Sequence, residues 1–115
     1  MNHLLSRAAS LIDDAIVAVS TPSGRGAVGI VRLSGAPHRL EPILKELLGP
    51  ARLTDRRLGL VDILDVDGQA LDRGLAVRFV GPRSYTGEDV VELHLHGNPT
   101  LLAAVVDRAC FLGAR

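Results

Sequence analysis

Residues 58–80 read LGLVDILDVDGQALDRGLAVRFV, and this stretch decides the fold class. Leu58 to Asp65 has the length and apolar content of a strand. Gly74 to Val80 alternates Leu75, Val77 and Phe79, as a second strand should. Asp67-Gly68 between them is a turn signal, because glycine supplies the positive φ of a tight hairpin turn. The pair predicts a hairpin, which excludes a purely parallel, doubly wound sheet.

Outward from the hairpin, proline and glycine punctuate the rest of the chain. Upstream, Pro37 opens a helix in which Leu40, Ile43, Leu44, Leu47 and Leu48 form one apolar stripe. Gly49-Pro50 ends it, glycine suiting a left-handed cap and proline unable to continue. Before the helix stand two strand-like runs, Ala15 to Val19 and Val28 to Ser34. Downstream, the glycine-bounded loop 81–87 leads to a strand from Asp89 to His96. Val91, Leu93 and Leu95 share one face of that strand; Glu92, His94 and His96 share the other. Asn98 is placed to cap a last helix with Pro99 at its first position. That helix has an apolar face of Leu101, Leu102, Val105, Val106, Ala109 and Leu112.

The order β-β-α-β-β-β-α implies an α+β fold: a mixed, largely antiparallel five-stranded sheet with two or three helices. Residues 1–12 are expected to be an extension or a short amphipathic helix, and 13–115 the domain. The 115 residues suffice for a single core. The hydrophobic share of 47% argues against disorder. The net charge of zero lacks the basic excess of a chain that binds nucleic acid unaided. The cluster Arg52, Arg56 and Arg57 reads as a solvated loop. The single cysteine, Cys110, cannot form an internal disulfide. It lies in an apolar run and reads as a core residue. With no run long enough to span a bilayer, the expected location is the cytoplasm.

Gly24-Arg25-Gly26-Ala27-Val28-Gly29 matches a dinucleotide fingerprint in letters only. Its third glycine falls inside a strand, where the fingerprint needs the start of a helix. The glycines are expected to serve a turn with positive φ. No phosphate-loop sequence of the G-x-x-x-x-G-K-[ST] type occurs. Glu92, His94 and His96 could ligate a metal, but no second cluster supports them, and the expectation is no metal. Arg32 and Glu92 are more informative, since each is a charge on a strand rich in apolar residues. They can satisfy each other as a salt bridge, or flank a polar ligand in a cleft. A carboxylate suits adjacent N–H donors such as a pterin edge; a guanidinium suits a carbonyl or carboxylate. Chemistry alone leaves both readings open.

Two blocks carry a family resemblance. Residues 15–18 and 20–35, AIVA and STPSGRGAVGIVRLSG, form the first. GPRSYTGEDVVEL, residues 81–93, followed by His96-Gly97 and Pro99, forms the second, and Leu112-Gly113-Ala114-Arg115 continues the pattern. Together they resemble the start of the MnmE (TrmE) family of tRNA uridine-modifying GTPases. The resemblance implies a fold like the tetrahydrofolate-binding domains of the glycine cleavage T-protein group. It implies binding of 5-formyltetrahydrofolate or 5,10-methylenetetrahydrofolate, with Arg32 and Glu92 as the contacting residues. It also implies a homodimer with the folate sites near its interface. Full-length members add a helical and a GTPase domain. They work on tRNA with an MnmG-type flavoprotein, modifying the wobble uridine at C5. This chain departs from the family where His94 and Leu95 replace a glutamine and a glycine. The expectation is an excised or truncated domain with no catalytic residues of its own, unable to hydrolyse GTP.

Overall fold

The computed structural model describes residues 14–21, 26–84 and 87–115. The expected extension at 1–12 lies outside them. The elements run β1 (Ile16–Val19), β2 (Val28–Gly35), α1 (Pro37–Leu48), β3 (Gly59–Leu64), β4 (Ala70–Phe79), β5 (Asp89–His96) and α2 (Pro99–Phe111). The strands form one sheet in the order β1-β2-β5-β4-β3. All four pairings between these strands are antiparallel, so the expected five-stranded, largely antiparallel sheet is present, with no parallel strand pair among the described residues. The only parallel element described is an isolated bridge, Asp55 to Arg78.

The hairpin begins four residues earlier on its second strand than the sequence suggested, at Ala70 rather than Gly74. Leu71-Asp72-Arg73 lacks clean alternation, and its pairing comes from cross-strand partners instead. Arg73 Nε donates to Asp62 Oδ1 at 3.0 Å, directly opposite in the register. The Asp65 side chain shapes the turn, accepting from the Asp67 and Gln69 backbone N–H groups at 2.9 and 3.1 Å. Gly68 takes the positive φ, 79°.

Both helices pack on one face of the sheet. Val31, Leu33, Val61, Ile63, Ala76, Val91, Leu93 and Leu95 are buried there. The α1 stripe Leu40, Ile43, Leu44, Leu47 and Leu48 and the α2 residues Leu102, Val105 and Ala109 close the core over them. Gly49 ends α1 with a positive φ of 65°, but its ψ of -140° puts it outside the left-handed helical cap that was expected. Asn98 caps α2, its Oδ1 accepting from the Thr100 N–H at 2.9 Å. Cys110 is exposed, not a core residue. On a helix whose buried positions are 102, 105 and 109, position 110 turns away.

Two glycines of the fingerprint-like stretch are described, and neither has a positive φ. Gly29 makes room for packing: a Cβ there would lie 2.4 Å from Leu102 Cδ1. Gly26 donates its N–H to the Gly97 carbonyl at 3.2 Å. A Cβ at Gly97 would sit 2.1 Å from the Gly26 oxygen, so the two backbones approach too closely for any side chain at 97.

Candidate functional site

The opposite face of the sheet is covered by neither helix. The register sets Arg32 of β2 against Glu92 of β5, Ile30 against His94 and Val28 against His96. From β4, Val77 stands beside Glu92 and Leu75 beside His94. This open face therefore carries charge at its centre and apolar residues around it. Ile16, Val28, Leu60 and Leu75 are all exposed there.

The structure brings Arg32 and Glu92 together and bonds them. Arg32 Nη2 and Nε donate to the same oxygen, Glu92 Oε2, at 2.5 and 3.2 Å. The other oxygen, Oε1, lies 3.1 Å from His94 Nε2. An ionised carboxylate can only accept, so the His94 ring carries its proton on Nε2 in this contact. The Glu92 side chain is 16% exposed and that of Arg32 33%. Partial burial pushes the Glu92 carboxyl up, and hydrogen bonds from Arg32 and His94 outweigh it. The carboxyl thus lies below its ordinary value and holds its charge.

A recess of about 280 Å³ adjoins this cluster, walled by Val28, Arg73, Leu75, His94 and His96. It begins at His94 and is not lined by Arg32 or Glu92. His96 turns from His94 to Asp72, whose Oδ1 lies 2.8 Å from His96 Nδ1. His94 and His96 thus serve different carboxylates. Among the described residues, no three His, Cys, Asp or Glu side chains converge as a metal site.

Leu95, one of the two departures from the family pattern, points into the core and is 3% exposed. Gly29 lies opposite it in β2, and a Cβ on Gly74 would come within 2.9 Å of its Cδ2. Gly74 on the flanking strand β4 makes room for the leucine, while Gly29 leaves space for Leu102. The open face is altered by His94, not by Leu95.

Sequence reasoning missed a second charged cluster, at the base of the 81–88 loop. Asp89, 5% exposed, accepts from Arg78 Nε and Nη2 at 3.1 and 2.7 Å and from the Gly81 N–H at 2.9 Å. Asp55 accepts from the Val80 N–H at 2.8 Å. That backbone hydrogen bond is the main reason the Asp55 carboxyl is lowered. Arg56 is an exposed loop residue, as expected, but not one without contacts. It bonds Asp55 and the Arg83 carbonyl, and its guanidinium lies 5.7 Å from the Phe79 ring centre. Its φ of 59° is a conformation that a residue with a side chain adopts rarely. No local pattern in the sequence signalled this cluster, which depends on the register of β4 on β5 that sets Arg78 close to Asp89.

No described helix is long and apolar enough to cross a membrane. The family described as "GTP-binding protein TrmE N-terminus" matches residues 15–115. The chain is 46% identical over 104 residues to the "tRNA modification GTPase MnmE" of Nitrosomonas eutropha, covering 90% of this chain and 22% of that protein. It is 48% identical over 103 residues to the protein of that name from Methylococcus capsulatus, covering 89% and 22%. With that of Koribacter versatilis it shares 42% over 107 residues, covering 90% and 24%. The chain therefore spans less than a quarter of the length of these curated relatives.

Proposed function

This chain belongs to the family of TrmE N-terminal domains, and from that premise we propose that it binds a one-carbon tetrahydrofolate and pairs with a second copy. In this reading it serves a cytoplasmic tRNA modification GTPase acting on the wobble uridine at C5, with tRNA and an MnmG-type flavoprotein as partners. The observation that carries the proposal is the Arg32–Glu92–His94 cluster, set among apolar residues on a sheet face that neither helix covers.

The residues present fit the ligand. Glu92 is held ionised and offers acceptor oxygens to the adjacent N–H donors of a pterin edge. Arg32 offers donors to a carbonyl or carboxylate. Ile30, Val28 and Leu75 provide apolar surface for the ring. Without ligand, Arg32 and Glu92 hold each other, so neither half-buried charge lacks a counter-charge. Binding exchanges that bond for ligand contacts. When bound, the folate, 5-formyl- or 5,10-methylenetetrahydrofolate, supplies the one-carbon unit.

Backbone amide shifts on titration with 5-formyltetrahydrofolate test the location. The proposal expects saturable shifts at Ile30, Arg32, Glu92 and His94, with α1 unmoved. Shifts confined to the helix side would reject it. A second reading, a purely structural dimerisation module, is favoured by one observation: the recess beside the cluster is lined by neither Arg32 nor Glu92. A stable dimer by light scattering, with no folate-dependent shifts, would select that reading.

A further inference from the structure

We propose that the cleft between α1 and the segment following it is a second binding site, for a small amphipathic anion carrying a phosphate or carboxylate head. It lies on the helix-covered side of the sheet and is distinct from the Arg32–Glu92 cluster. Its volume is about 720 Å³, within the range of small-molecule sites. Pro42, Leu44, Leu48 and Leu53 give it an apolar lining, and Lys45, Arg52 and Arg78 bring cations to it.

Arg78 is the preorganised member. Buried Asp89 grips its Nε and Nη2 and fixes the plane of the guanidinium. Nη1 points the other way, to Glu41 Oε1 at 2.5 Å. The Glu41 side chain is 60% exposed on the surface of α1. A carboxylate so exposed can swing into water at little cost, which opens Nη1 to an incoming oxyanion. Glu41 thus occupies the place of the ligand's head group. Lys45 follows it by one helical turn, on the same side of α1. Arg52 enters from the connection beyond Gly49. Among the described residues, neither Lys45 nor Arg52 is in a salt bridge. Three cations therefore line a cleft with one exposed carboxylate, and an apolar wall is there for the body of the ligand.

The test is an amide-shift titration of the whole chain with phenyl phosphate, with benzoate, and with benzyl alcohol as the neutral control. The proposal expects saturation by at least one of the anions at Leu44, Lys45, Arg52 and Leu53, no saturation by the alcohol, and unmoved amides at Arg32 and Glu92. Replacing both exposed cations, Lys45→Ala with Arg52→Ala, should weaken binding at least about tenfold, since a single charge-assisted hydrogen bond is worth that order. Glu41→Gln removes the internal competitor and should tighten binding by about threefold, a modest change typical of an exposed pair. Saturation by neither anion, an equal response to the alcohol, or unaltered affinity in the double variant would overturn the proposal. So would weaker binding in Glu41→Gln.

Discussion

At Glu92, two influences compete and the hydrogen bonds win. Partial burial disfavours the charge, while Arg32 and His94 stabilise it. The folded chain therefore binds this proton more weakly than the unfolded chain. The resulting stability is fully present above the ordinary carboxyl value of 4.5 and drains as pH falls through the lowered one. Glu92→Gln should flatten that part of the acid-denaturation profile, with little change near neutrality beyond the weak cost of a partly exposed pair. Denaturant midpoints between about pH 5 and 3 check this; an unchanged profile would mean the contact is not made in solution. Gly97 is the other decisive residue, because the Gly26 carbonyl occupies the space of any Cβ. Gly97→Ala should destabilise the fold by about 1–3 kcal/mol, the usual cost of overpacking, measurable by chemical denaturation.

Among the elements, α2 shows how far local signals reach. Asn98 and Pro99 mark its start in the sequence, and Asn98 Oδ1 accepts from the first-turn N–H groups. Asn98→Ala should cost about 1 kcal/mol, readable as a lowered denaturation midpoint. The α1 stripe is equally legible, since five leucines and isoleucines at helical spacing have one way to be buried together. The start of β4 is not legible, because Leu71-Asp72-Arg73 owes its pairing to charges on other strands. Cys110 departs from expectation for a related reason: an apolar run says less about burial than the helical period does. Arg32 and Glu92 stand out as charges on apolar strands. Their mutual bond depends on a register that no local pattern shows, whereas strand alternation alone sets the third member, His94, on the face of Glu92. The cluster of Asp89, Arg78 and Glu41 joins three elements and is hidden in the sequence for the same reason.

At the scale of the whole molecule, the described residues form one sheet with two helices on one face and charged and apolar residues on the other. Ile16, Val28, Leu60 and Leu75 stand 53, 54, 63 and 41% exposed on the bare face. A second copy covering that face would remove this surface from water, which is the physical basis of the proposed dimer. Leu75→Glu should then convert a dimer into a folded monomer by light scattering, with the helical circular dichroism retained. A dimer that survives the change would place the contact elsewhere. In the proposed reading Glu92, held charged by Arg32 and His94, is the acceptor for a reduced folate. Calorimetric titration with 5-formyltetrahydrofolate tests it most directly, comparing the native chain with Glu92→Gln at neutral pH. The account predicts saturable heat from the native chain and at least about tenfold weaker affinity in the variant, the scale of one charge-assisted hydrogen bond. Equal affinity in the two proteins, or no heat from either, would contradict it.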